Sequence, residues 1–177
     1  MSDRTIHNQR DFTPAFPFLW AYDLIVAAFW SGTHMAWRPL TSALLRQLGP
    51  RPSDIIADIG CGTGSFLALL GGTAKWARLI GVDPDDRILH RARLKLEAAG
   101  IVVTLKHGYL RDVGALLAGT GVNKIVSSLV FHQVPLAEKG AGLSSIYSAL
   151  PPGGELHVAD NGHSGRNKNT GTHHRCH

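Results

Sequence analysis

The stretch Asp58-Ile59-Gly60-Cys61-Gly62-Thr63-Gly64 decides how this chain folds. It joins the apolar run "DIIADI" (54–59) to "TGSFLALLGG" (63–72), so it stands where a strand must turn into a helix. Glycine is needed at such a turn because the backbone bends sharply and comes close to a ligand, which a Cβ would obstruct. A glycine-rich strand-to-helix turn is able to cradle a dinucleotide. The spacing here, however, is G-x-G-x-G, and Ser65 sits where G-x-G-x-x-G requires its last glycine. A Rossmann-type oxidoreductase using nicotinamide or flavin is therefore the weaker reading.

Outward from this turn, short apolar runs alternate with helical ones. "ARLIGV" (77–82) reads as a strand and "DDRILHRARLKLEAAG" (85–100) as an amphipathic helix with Gly100 at its end. "IVVTLK" (101–106), "VNKIVSSLVF" (122–131) and "ELHVAD" (155–160) read as further strands, the last following the turn "PPGG". Between them, "RDVGALLAG" (111–119) and "LAEKGAGLSSIYSAL" (136–150) read as helices. Strict alternation of this kind implies an α/β fold, a doubly wound and mostly parallel sheet covered by helices on both faces. Upstream, aromatic-rich segments at about 17–30 and 36–48 read as helices that precede the core, ahead of the punctuation "GPRPSD".

The chain of 177 residues, 44% hydrophobic, fits one domain with a real core and one cofactor site. Its organisation reads as a loose polar N-terminus (1–15), a domain with an N-terminal helical cap (16–162) and a polar tail (163–177) without period, which cannot bury enough surface to fold alone. The formal charge of +5 owes much to Arg166, Lys168 and Arg175, which no acid accompanies after Asn161. The remainder is close to balanced, so the high pI gives little support to a nucleic-acid partner. Cys61 and Cys176 form no C-x-x-C pair and no secreted scaffold, which makes a reducing cytoplasm the default. No signal peptide is evident, and the apolar run Phe16 to Trp30 is interrupted by Asp23 and falls short of the roughly 20 residues a bilayer span needs. In the tail, "HHRCH" lacks the spaced pairs of a structural zinc site, and no metal site is expected.

Asp83 ends "LIGVD" about 20 residues beyond the glycines, a distance at which a carboxylate can accept hydrogen bonds from ribose hydroxyls. The competing reading is a helix N-cap, for which "DPDD" offers three acids. Cys61, inside the glycine turn, reads as a small packing residue rather than a reactive thiol.

Taken together, "IIADIGCGTGSFLALL" and "LIGVDPDDRIL" resemble the first two motifs of class I S-adenosylmethionine-dependent methyltransferases, and most nearly the subgroup containing quinone-biosynthesis methyltransferases. The resemblance continues through "VNKIVSSLVFHQVP" and "LPPGGELHVAD" and covers about Phe16 to Asp160. It implies S-adenosylmethionine as the cofactor. Asp58 would contact its amino acid end, with Gly60, Cys61, Gly62 and Gly64 packing their backbone against it. Asp83 would bind the ribose hydroxyls, Pro84 would pack on the adenine, and Ser128 and Leu129 would offer backbone groups to the methionine moiety. Where such enzymes often read Gly-Asp-Ala after the third strand, this chain reads Gly108-Tyr109-Leu110. Tyr109 either stacks on the adenine or is a plain wall residue, and Asp112 is an alternative partner. Tyr22-Asp23 is similar to a pair that many relatives place over the cofactor, the alternative being ordinary core.

The chemistry the resemblance implies is in-line methyl transfer to a small-molecule acceptor, with alignment and exclusion of water as the protein's main task. His132, just beyond the fourth strand, stands where an acceptor would be met. It serves either as an acid-base group or as a cap on the next loop. Relatives normally continue after the fifth strand with a helix and a final antiparallel pair. Here seventeen residues follow Asp160 and none reads as a strand. The expectation is a sheet lacking that pair, with "ELHVAD" as an open edge inviting a homodimer. The same feature leaves a second function class open: a cofactor-binding protein without transfer activity.

Overall fold

The computed structural model describes residues 34–160 and 174–175. Its elements run α1 (His34–Leu48), β1 (Ile55–Ile59), α2 (Ser65–Thr73), β2 (Arg78–Asp83), α3 (Asp86–Ala98), β3 (Thr104–His107), α4 (Val113–Leu117), β4 (Lys124–Ser128), α5 (Leu136–Ala149), β5 (Glu155–Ala159) and β6 (His174–Arg175). The strand order is β3-β2-β1-β4-β5-β6, with every pairing parallel except β5 with β6. The doubly wound sheet expected from the alternation is present.

The sheet divides two apolar layers. Ile56, Leu79 and Val126 face one side, packed under Leu44 and Leu48 of α1, Phe66, Leu67 and Leu70 of α2, and Leu89, Ala92 and Leu96 of α3. Ala57, Ile59, Ile80, Val82 and Ile125 face the other, covered by Val113 and Leu117 of α4 and Ile146 of α5. Successive strand residues point to opposite faces, which is why β1 needs apolar side chains at consecutive positions.

The boundaries depart from the sequence reading in one instructive place. "IVVTLK" contributes only from Thr104 onward, and Val102 is 93% exposed. The reason lies in the preceding helix end. The Ile101 amide closes back on the Leu96 carbonyl (2.9 Å), and Ile101 packs where a Cβ on Gly71 would otherwise stand. The apolar run is thus spent on a helix stop and a packing contact before the strand begins.

The edge of β5 also needs correction. Two residues of the polar tail pair with it antiparallel, Arg175 opposite Glu155 and His174 opposite Leu156, so β5 does not present a wholly bare edge. Strand pairing of this kind uses backbone groups, and a two-residue strand carries no side-chain pattern to read. The helical reading of 17–30 lies outside the described residues. Among the described residues, no helix is long and apolar enough to cross a membrane.

At the opposite end of the sheet from the glycine turn lies a buried ion cluster that no motif announced. The Lys124 side chain, 6% exposed, sits 3.2 Å from Asp54 Oδ2 and donates to the carbonyls of Leu48 (2.6 Å) and Gly49 (3.1 Å). Burial by itself raises the Asp54 pKa, but the Asn123 amide, the Arg51 N–H and the Lys124 ammonium outweigh it and hold the carboxyl below its ordinary value. The cluster ties α1 to β1 and β4. Removing one partner leaves the other charge buried and uncompensated, so Lys124→Ala is expected to destabilise the protein by about 3–5 kcal/mol in urea melts. Asp54 stabilises the fold above the carboxylate's ordinary pKa of 3.8, and that contribution is lost as pH falls through its depressed folded value. A Lys124→Ala protein as stable as wild type would strip the cluster of this role.

Candidate functional site

From β1 the chain moves outward to β2 and β3 and then returns to β4 on the other side of β1, which opens a crevice at the carboxyl ends of β1 and β4. The site residues expected from the sequence, apart from Tyr22, all follow or end strands at this edge. Tyr22 and its partner Asp23 lie outside the described residues.

The glycine turn is built by its three left-handed glycines, Gly60 (φ 73°), Gly62 (φ 54°) and Gly64 (φ 76°). The amides of Gly60 and Cys61 both donate to the Val82 carbonyl, at 2.8 and 3.0 Å, so the turn is laced to the end of β2. The glycines differ in what surrounds them. A Cβ on Gly60 would collide with Val130, and one on Gly64 would press within 3.1 Å of Leu96 and 3.3 Å of Ala92. A Cβ on Gly62 would meet nothing within 4 Å. Two of the glycines therefore permit packing between protein elements, and the middle one borders open space.

Asp83 anchors this arrangement. Its Oδ2 accepts from the Gly62 amide at 2.9 Å and its Oδ1 from the Asp85 amide at 3.0 Å. The helix N-cap is Asp85, whose side chain accepts from the amides of Arg87 and Ile88, so capping does not account for Asp83. Burial raises the Asp83 pKa, against the lowering effect of those two amides and of nearby His107.

Asp58, at 1% exposure, lies still deeper, and its Oδ1 has no hydrogen-bond partner. Burial first, and repulsion from Asp83 second, push its pKa up to about 7. A buried carboxyl oxygen with no partner is uncommon and calls for a polar group to complete it. Cys61 behaves as the sequence reading has it: burial, then Asp58 and Asp83, raise its thiol pKa, and its Sγ covers Gly81.

Around this centre, His107 Nε2 lies 2.9 Å from the Pro84 carbonyl, and the His107 ring meets Tyr109 edge-on at 6.2 Å. Asp112 is occupied locally, its Oδ2 accepting from the Tyr109 amide at 3.1 Å, and Arg111 stands 4.8 Å over the Tyr109 ring. At the end of β4, Leu129 adopts a left-handed backbone (φ 58°) and donates its amide to the Ala159 carbonyl at 2.7 Å. Its carbonyl lies 3.5 Å from the Gln133 side-chain amide nitrogen. A left-handed non-glycine residue costs about 1–2 kcal/mol, and such strain collects at ligand sites. His132 lies in a short 3₁₀ turn, Phe131–Gln133, tied to Asp160 at the end of β5. A surface recess of about 500 Å³ between α3 and β3, lined by Arg93, Glu97, Ile101 and Val103, lies away from this edge.

The sequence reading missed His107 and Asp160, and it named Leu129 without the strain in its backbone. Nothing in "TLKH" marks a site residue, and backbone strain at a leucine has no sequence signal. Asp160 was legible only as the last residue of a strand.

Residues 56–154, which contain both the glycine turn and the Asp83 strand end, match the family model described as a methyltransferase domain. The chain belongs to that family. As a methyltransferase domain it is similar to the ribosomal RNA small subunit methyltransferase H of Heliobacterium mobile, 35% identical over 57% of this chain and 35% of that protein. It is also similar to the ubiquinone/menaquinone biosynthesis C-methyltransferase UbiE of Shewanella halifaxensis, 27% identical over 78% of this chain and 54% of that one. The fold is shared with a SAM-dependent methyltransferase from Aquifex aeolicus at a TM-score of 0.62 and 20% identity, over 73% of this chain and 68% of that chain. The methyltransferase domain spans between about a third and a half of the length of those curated relatives. The resemblance to class I S-adenosylmethionine-dependent methyltransferases is borne out, and S-adenosylmethionine is the cofactor of that class. The residues at the strand ends suit it: an open glycine backbone, a buried carboxyl oxygen lacking a partner, and a carboxylate fixed beside both.

The raised Asp58 pKa makes a prediction about the ligand-free protein. A carboxyl whose folded pKa of about 7 exceeds its ordinary 3.8 contributes stability that is full below the lower value and is lost as pH rises through the higher. Wild-type stability in urea melts should therefore fall between about pH 4 and pH 7, and Asp58→Asn should flatten that fall. Parallel pH profiles for the two proteins would remove Asp58 as the source.

Proposed function

We propose that this chain binds S-adenosylmethionine across the ends of β1 and β2 and transfers its methyl group to a small-molecule acceptor. The observation that carries this reading is Gly62, a left-handed glycine pinned by its amide to Asp83 and bordering open space while the glycines on either side pack against protein. Asp58 offers its unpartnered oxygen to the amino acid end of the cofactor. Each Asp83 oxygen accepts one amide and keeps a second lone pair for a ribose hydroxyl. Pro84 and Tyr109 flank the adenine, and the backbone of Ser128 and Leu129 faces the methionine moiety.

When bound, S-adenosylmethionine supplies a methyl group that its sulfonium makes electrophilic. The task left to the chain is to hold an acceptor in line, exclude water and remove a proton, work for which positioning alone supplies a large part of the acceleration. His132 is the proton acceptor in this reading.

An RNA acceptor is the second reading, supported by the likeness to a ribosomal RNA methyltransferase. Labelled methyl transfer offered in parallel to ribosomal RNA and to small phenols separates the two. Cofactor binding with no transfer to either would return the chain to the role of a binding protein.

Calorimetric titration with S-adenosylmethionine and S-adenosylhomocysteine tests the site itself. Asp83→Ala is expected to weaken both by about 1.5–3 kcal/mol, the size of hydrogen bonds to a charged group, and equal affinity would take Asp83 out of the site. Gly62→Val is expected to abolish binding while circular dichroism keeps most of the helix signal, because a branched side chain would fill the space the ligand needs. Retained affinity in that folded variant would sink the assignment.

A further inference from the structure

His132 is held by one carboxylate at two points. Its backbone amide donates to Asp160 Oδ2 at 2.7 Å, and its ring Nδ1 lies 2.6 Å from Asp160 Oδ1. The two residues are 28 apart in sequence and belong to different ends, the turn after β4 and the end of β5. On the other side of the ring, Gln133 Nε2 stands 3.4 Å from His132 Nε2.

A carboxylate can only accept, so Nδ1 must carry the ring proton when the imidazole is neutral. The Nε2 lone pair is then left free to accept, and an amide N–H is the group found near it. The backbone bond matters as well. By gripping the amide of the same residue, Asp160 limits both the torsion of the turn and the rotation of the ring. The turn itself begins next to Val130, whose side chain fills the space over Gly60, so the imidazole is tethered to the glycine turn through one packed residue.

We propose that Asp160 is a positioning residue for His132, fixing the Nδ1–H tautomer so that Nε2 serves as the proton acceptor of the site. This rests on the methyl-transfer reading above. For an acceptor that reacts through a hydroxyl, the O–H bond breaks, its proton joins Nε2, and its electron pair stays on the oxygen as the attacking pair. The imidazolium formed sits against the Asp160 carboxylate, the titratable group seen in contact with it among the described residues. An orienting carboxylate of this kind acts on tautomer and basicity rather than on ligand affinity.

The test uses the full chain, ¹⁵N-labelled, with long-range ¹H–¹⁵N correlation of the imidazoles and His132→Gln to assign the signal. Neutral His132 is expected in the Nδ1–H tautomer in wild type. In Asp160→Asn that preference should be lost, because a side-chain amide is able to donate to Nδ1 as well as accept from it. Affinity for S-adenosylhomocysteine should stay within about twofold of wild type. An Nε2–H tautomer in wild type overturns the proposal whether or not the variant folds, and so does an unchanged tautomer preference in Asp160→Asn. Failure of S-adenosylhomocysteine to bind wild type would sink the methyl-transfer reading while leaving the tautomer result to decide the role of Asp160.

Discussion

Two carboxyl groups kept out of water at the adjoining ends of β1 and β2 shape everything around them. Asp58 and Asp83 come close because their strands pair in register, Ile59 opposite Val82, and the glycine turn then closes over both. Their costs are met differently. Asp83 is satisfied by two backbone amides, one of which belongs to Gly62 and so fixes the turn. Asp58 keeps an oxygen without a partner and answers with a pKa pushed up to about 7. A site that holds such a carboxyl in reserve stores an unfavourable interaction that a cationic ligand group relieves on binding, which makes binding and stability two faces of one arrangement.

The same logic runs from the site to the scaffold. At the other end of β1 and β4, Lys124 and Asp54 are also buried, but that pair is complete, with carbonyls and an amide meeting the remaining hydrogen-bonding capacity. One end of the sheet is electrostatically closed and the other electrostatically open. This asymmetry follows from the parallel strands, which bring all their carboxyl ends, and the turns that leave them, to one edge. The strained Leu129 and the His132–Asp160 pair stand at that edge too, where the chain departs from regular geometry and side chains meet from separate strands.

Membership of the methyltransferase domain family rests on the stretch from β1 to the turn before β5, which contains the glycine turn and Asp83. The names of the relatives place one on ribosomal RNA and another in ubiquinone/menaquinone biosynthesis. Fold and cofactor class are therefore common property, and family membership by itself does not fix the acceptor.

The sequence by itself determined the order of strands and helices, because alternation between short apolar runs and amphipathic ones has a period that survives without tertiary context. It also determined the position of the glycine turn, since backbone sterics at a strand-to-helix turn leave few residue types that fit. Tertiary structure decided the rest. It assigned capping to Asp85 and loop anchoring to Asp83, a choice "DPDD" left open because all its acids are chemically alike. It shortened β3, since a helix end claimed Ile101 first. It laid His174 and Arg175 against β5 through backbone bonds that no side-chain pattern encodes. It joined Lys124 to Asp54, and His132 to Asp160 across 28 residues, because only strand pairing brings such distant groups within hydrogen-bond reach. Local patterns are legible wherever a residue's role depends on its neighbours in the chain, and they fall silent where its partner arrives from another strand.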